Sequence, residues 1–179
     1  MSLLQVKDLS ISFGGVKAVD GVSFTVEPGE VFTLVGPNGA GKSTIFNLIS
    51  RLYEPSAGQI VFDGQDITSL PAHKVAGLGI ARTFQNIELF DHSSVLQNLL
   101  IGRHCRRNTR WFEELLFLPK VRRSERQHRL LVEEVIDFLD LAAYRDKLIA
   151  GLPYGVRKVV EIARALSSEP KLILLDEPA

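Results

Sequence analysis

A chain of 179 residues, 45% hydrophobic and 8% aromatic, carries enough apolar content for one substantial core. Its 21 basic and 21 acidic residues cancel, so total charge directs it neither to nucleic acid nor to an acidic partner, and Cys105 alone makes neither a disulfide framework nor a metal cluster. The opening MSLLQVKDLS lacks the basic start and apolar core of a signal peptide, and no uninterrupted apolar run approaches the roughly 18 residues of a membrane helix, so a soluble protein of a reducing, cytoplasmic compartment is expected.

From Leu3 to Phe32, β-type runs are punctuated by Gly14, Gly15 and the turn Glu27-Pro28-Gly29-Glu30, which predicts an antiparallel β element leading into a core strand at Val31 to Val35. There follows GPNGAGKST, Gly36 to Thr44, with the spacing G-x-x-x-x-G-K-[ST] of a phosphate-binding loop. Gly36, Gly39 and Gly41 let consecutive N–H groups turn toward phosphate oxygens, and Pro37, Asn38, Ala40 and Thr44 of the same loop are candidate nucleotide-binding residues with them. Lys42 supplies a mobile positive charge for the β- and γ-phosphates, Ser43 a hydroxyl for Mg²⁺, and the following helix the partial positive charge of its N-terminus. The expected ligand is a Mg-nucleoside triphosphate. The spacing alone leaves P-loop kinases and GTPases open.

Ile45 to Leu52 is expected to be a helix, Gln59 to Phe62 a strand ending in the Asp63-Gly64 turn, and Leu78 to Phe84 a strand that ends at Gln85. Beyond Asn86 the character changes. Residues 103–129 hold nine basic and three acidic residues, a local net of +6, with Trp111 and Phe112 among them. A solvated helical face, a surface near anionic lipid and a nucleic-acid patch all fit that composition. Ser124-Glu-Arg-Gln127 has the capping-box pattern, and Leu131, Val135, Phe138 and Leu139 recur at helical spacing, so an amphipathic helix is expected over Ser124 to Leu141.

The α/β pattern returns with a helix over Val156 to Leu166 entered from Gly155, a break at Pro170, and the apolar strand Leu172-Ile-Leu-Leu175 of the kind buried in a parallel sheet. Asp176-Glu177 closes it. Ligands gather at the carboxyl ends of such strands, which suggests Asp176 as the Mg²⁺ holder and Glu177 as the group that polarises an attacking water; a plain surface turn is the bland alternative. The expected organisation is an α/β P-loop core with a β element over 1–85, a mainly helical subdomain over 86–152, and a closing helix and strand over 153–179.

GPNGAGKST, ARTFQN, LPYGVRKVVEIARAL and LILLDEP, in this order, resemble the ATP-binding subunit of ABC transporters across nearly the whole chain, and LPYG with ARTFQNIELF resembles the branched-chain amino acid importers. The resemblance implies ATP and Mg²⁺ as cofactors and hydrolysis coupled to transport. It implies transmembrane permease subunits, a homologous ATP-binding subunit in a head-to-tail dimer, a separate substrate-binding protein, and a place on the cytoplasmic face of the membrane. It also implies that Phe13 stacks on adenine, although an isolated Phe is as often core, and that Gln85 touches the metal or attacking water and links the core to the helical subdomain. At Leu152 to Val156 the signature loop departs from the common LSGGQ: Pro153, Tyr154 and Val156 replace serine, glycine and glutamine, leaving Gly155 to cap the γ-phosphate held by the partner. The family's γ-phosphate histidine follows the Asp-Glu strand, whereas His73, His92, His104 and His128 precede it, so an incomplete chain with slow turnover is expected. A non-transport ABC ATPase and a nucleotide-binding module without turnover are the other readings.

Overall fold

Alternating apolar residues in LQVKDLSISF form strand β1, Leu4–Phe13, whose inward positions Leu4, Val6, Leu9 and Ile11 are buried. The computed structural model describes residues 2–83, 88–104 and 119–176 and divides into two units, Met1–Ile80 and Ala81–Ala179. Two residues rather than one separate Val6 from Leu9, because β1 bulges at Asp8, where φ is 47° and the register with its neighbours slips. Ser23 holds the bulge by accepting the Asp8 N–H at 2.8 Å.

The first unit is a four-stranded antiparallel sheet in the order β2-β1-β3-β4, with β2 at Val16–Val26, β3 at Ala57–Phe62 and β4 at Gln65–Asp66. This is the antiparallel element expected from the sequence. The expected turn at Asp63-Gly64 joins β3 to β4 with positive φ at both residues. Helix α1, Lys42–Ile49, buries Ile45, Leu48 and Ile49 and begins three residues before its expected start. Helix α2, Ala72–Leu78, was not expected; it starts behind Pro71, stops at Gly79 with φ 109°, and buries one residue, Val75.

Val31 to Val35 does not form the expected core strand. The segment carries no ladder, and Val31 and Val35 are each 91% exposed, although Phe32 stacks on Phe24 at 4.9 Å. An apolar run becomes a central strand only when neighbours complete its hydrogen bonds, and among the described residues no strand pairs with it.

In the second unit, β5 at Ile80–Arg82 pairs with β6 at Leu172–Leu174. Both strands are shorter than expected, and of the four apolar residues from Leu172 to Leu175 only Leu174 is fully buried, since this two-stranded sheet gives β6 one ladder partner. Helices α3, Val95–Gly102, α4, Pro119–Phe138, and α5, Tyr154–Leu166, share a core that includes Leu99, Val132, Ile136 and Val160. The amphipathic helix expected from Ser124 is therefore α4 with an earlier start, and Ser124 lies inside it rather than at its cap. Its buried face is also rotated: Val132 and Ile136 are buried, whereas Phe138 is 77% exposed. The capping box falls at the start of α3, where Ser94 Oγ accepts the Gln97 N–H and Gln97 Oε1 accepts the Ser94 N–H.

Buried Arg103 ties the three helices together. Its Nε–H donates to His128 Nδ1 on α4 at 2.9 Å, one terminal nitrogen to Ser167 O at 2.6 Å, and the other to Glu169 at 2.8 Å, just past α5. Helices α3 and α5 meet backbone to backbone, since a Cβ on Gly102 would fall 2.5 Å from Arg164 O.

Candidate functional site

The loop from Gly36 to Gly41 turns on an Ala40 N–H to Pro37 O bond and enters α1 through Gly41, whose φ of 86° places it in the left-handed region. Gly39 has φ 84° and faces open space. Gly36, by contrast, needs no positive φ; a Cβ there would crowd Ala40 Cβ at 3.2 Å, so its glycine answers a steric demand rather than the conformational one expected. Gly41 has both demands, because a Cβ would fall 2.5 Å from Ala18 O on β2 and 3.3 Å from Val19 Cγ2.

The α1 ladder begins with Ile45 N–H to Gly41 O at 2.9 Å, and Lys42, Ser43 and Thr44 make up the first turn, the end of a helix that favours an anion. Lys42 Nζ lies across the loop, donating to Gly36 O at 2.7 Å and Pro37 O at 2.9 Å. An ammonium held by two carbonyls on a flexible stem can transfer to phosphate oxygens, which are stronger acceptors. Pro37, Asn38, Gly39 and Ala40 are exposed, and Lys42, Ser43 and Thr44 are half-buried, so the concave side is open to a ligand.

At the end of β1, Phe13 is 45% exposed and packs edge to face on Tyr53, with ring centroids 5.3 Å apart and planes at 70°. Phe13 is thus a surface aromatic rather than a core residue, and it pairs with Val16 at the start of β2, two residues before the carbonyl that abuts Gly41. A half-exposed ring anchored by a perpendicular neighbour leaves a face for stacking. Tyr53 carries no motif and was not a sequence candidate.

In the second unit, Asp176 follows β6 and is buried. Thr83 N–H donates to Leu174 O at 3.0 Å and Asp176 N–H to Thr83 Oγ1 at 3.4 Å, which fixes the Asp176 backbone. An Arg82 terminal nitrogen donates to Asp176 Oδ2 at 3.2 Å, with side chains 9% and 6% exposed. Arg82, within ARTFQN, was not a sequence candidate. Gln85 and Glu177 lie outside the described residues.

Among the described residues no three His, Cys, Asp or Glu side chains gather to enclose an ion. Taken separately, the Ser43 hydroxyl in the first unit and the Asp176 carboxylate in the second are hard oxygen donors of the kind Mg²⁺ takes alongside phosphate and water.

Helix α5 starts at Tyr154 behind Pro153, so Gly155 lies in its first turn rather than before it. Pro153, Tyr154 and Gly155 are exposed, and a Cβ on Gly155 would meet nothing within 4 Å. Arg157 ties down the preceding loop, donating to Leu152 O at 3.0 Å and Ala150 O at 2.7 Å. No helix among the described residues is long and apolar enough to cross a membrane.

A family model described as "ABC transporter" matches residues 19–179. The high-affinity branched-chain amino acid transport ATP-binding protein BraF of Pseudomonas aeruginosa is 40% identical over 177 residues, covering 99% of this chain and 69% of that protein. The lipopolysaccharide export system ATP-binding protein LptB of Haemophilus influenzae is 38% identical, over 99% of this chain and 68% of that one. Among solved structures, the ADP conformation of MJ1267, an ATP-binding cassette of an ABC transporter, superposes with a TM-score of 0.83 at 36% identity, covering 99% of this chain and 69% of that one.

Proposed function

The chain belongs to the ABC transporter family of ATP-binding subunits, with that family's α/β P-loop fold, and from this premise we propose that it binds and hydrolyses Mg-ATP to drive import of branched-chain amino acids. The observation that carries the reading is the loop itself: Gly41 in the left-handed region at the head of α1, with Lys42 laid across the turn.

In this mechanism Phe13 offers its ring to the adenine, and the N–H groups from Gly39 to Thr44 receive the phosphates. Lys42 leaves the Gly36 and Pro37 carbonyls for the β- and γ-phosphate oxygens. Ser43 and Asp176 would hold the metal, with Gln85 as a further contact, and the ion would supply neutralisation of charge at the phosphoryl group. Glu177 accepts hydrogen bonding from the attacking water and polarises it. Gly155, in the exposed first turn of α5, presents its N–H to the γ-phosphate of a homologous subunit in a head-to-tail dimer. Transmembrane permease subunits receive the resulting motion from this subunit at the cytoplasmic face of the membrane, and a separate binding protein selects the cargo.

The identity to LptB favours one other cargo class, an exported glycolipid, with the same ATP chemistry. A single-turnover assay with γ-labelled ATP and Mg²⁺, against Lys42→Ala, tests the ATPase reading. Release of phosphate that disappears in the variant supports it; binding and release unaffected by Lys42→Ala refute it. Reconstitution with the permease then separates amino acid uptake from glycolipid export.

A further inference from the structure

Two oppositely charged side chains sit dry at the end of the β5/β6 pair. The Asp176 carboxylate is 6% exposed and the Arg82 guanidinium 9%, with 3.2 Å between Arg82 nitrogen and Oδ2. A carboxylate this far from water needs a counter-charge. Neither partner is free to drift: Arg82 closes β5, Thr83 bonds across to Leu174, and the Asp176 N–H bonds back to Thr83. The cation is therefore fixed against the same carboxylate that the proposed function assigns to the metal.

We propose that Arg82 is a positioning residue that serves as the stand-in cation of Asp176, exchanged for the metal only when nucleotide binds. The inference rests on the reading of Asp176 as a metal-holding residue. A divalent ion and a guanidinium cannot share Oδ2 without strong repulsion at such short range. Free metal at ordinary concentration thus competes with a tethered charge that is always present, and it loses. Phosphate oxygens of a bound nucleotide add ligands and negative charge that tip the exchange, so metal occupancy is conditional on nucleotide. When phosphate leaves, Arg82 returns to Oδ2 and the affinity for metal falls with it. Between turnovers the carboxylate stays neutralised and in place.

The test uses Mn²⁺ as the probe, read by electron paramagnetic resonance, on the full chain with and without a non-hydrolysable ATP analogue. Removing a positive charge held 3.2 Å from Oδ2 predicts that Arg82→Gln tightens Mn²⁺ binding to nucleotide-free protein roughly tenfold or more. Arg82→Lys, which keeps the charge, restores weak binding. Unchanged Mn²⁺ affinity in Arg82→Gln, while Asp176→Asn abolishes the metal dependence of nucleotide binding, overturns the Arg82 role and leaves the metal reading standing. An equal gain in Arg82→Gln and in the Arg82→Gln/Asp176→Asn double variant places the metal elsewhere and overturns both. Should Arg82→Gln not fold, the native protein decides: the Arg82 guanidinium resonance, assigned by ¹⁵N NMR, is expected to shift when Mg²⁺ joins bound analogue and not when analogue is added with EDTA. The same spectrum with and without Mg²⁺ ends the proposal.

Discussion

Gly41→Ala and Gly39→Ala separate two reasons for a glycine that the motif alone does not distinguish. Both residues have φ near 85°, a conformation that costs an L-residue about 1–2 kcal/mol. A Cβ at Gly39 meets nothing within 4 Å, whereas one at Gly41 falls 2.5 Å from the Ala18 carbonyl oxygen. That oxygen belongs to β2 and cannot rotate away like a side chain, so overpacking adds a further ~1–3 kcal/mol. The expected losses are about 1–2 kcal/mol for Gly39→Ala and ~2–5 kcal/mol for Gly41→Ala. With a urea slope of about 2 kcal/mol per M, unfolding midpoints fall by roughly 0.5–1 M and 1–2.5 M respectively. Far-UV circular dichroism in a urea series reads both. Equal shifts would show that conformation alone governs the loop and that its approach to β2 carries no energetic weight.

Phe13→Ala should weaken ATP binding about threefold to tenfold, the worth of one aromatic stack, and Tyr53→Ala should weaken it by a smaller factor by releasing the ring; titration with a fluorescent ATP analogue measures both. Ser94→Ala breaks the reciprocal cap of α3 and should cost ~1 kcal/mol in a urea melt, whereas Ser124→Ala, inside α4, should cost nothing comparable. Hydrogen bonding from Arg145 holds the Glu133 carboxyl below its ordinary range against the opposing pull of desolvation. A depressed carboxylate stabilises the fold fully above its unfolded pKa of about 4.3 and loses that contribution as pH falls through the folded value, so melting temperature should drop more steeply below about pH 5 in the parent than in Arg145→Met.

The phosphate loop was legible because its chemistry is local: spacing, glycine and lysine lie within nine residues. What makes Gly41 irreplaceable was not, since Ala18 approaches it from 23 positions away. The two capping-box patterns make the same point. Ser94-x-x-Gln97 and Ser124-x-x-Gln127 read alike, yet only the first caps a helix; Ser94 is held outside α3 by its bridge to Leu148, whereas α4 runs straight through Ser124. Helix α2 went unread because seven residues burying one side chain make little periodic pattern, although Pro71 and Gly79 bracket it. The Arg82–Asp176 pair joins residues 94 apart, and no local feature of ARTFQN announces it.

The hub at Arg103 bears on how the helical unit carries force. Its guanidinium is shared among the end of α3, the middle of α4 and the segment after α5, and Gly102 lets the α3 and α5 backbones touch with no side chain between them. Sliding α3 past α4 or α5 strains the hydrogen bonds of the Arg103 guanidinium, the buried one to Ser167 O among them, which opposes the shear common to packed helices. A push delivered at one end of this bundle is transmitted to the other rather than absorbed, and amide exchange in the three helices should open as one cooperative event.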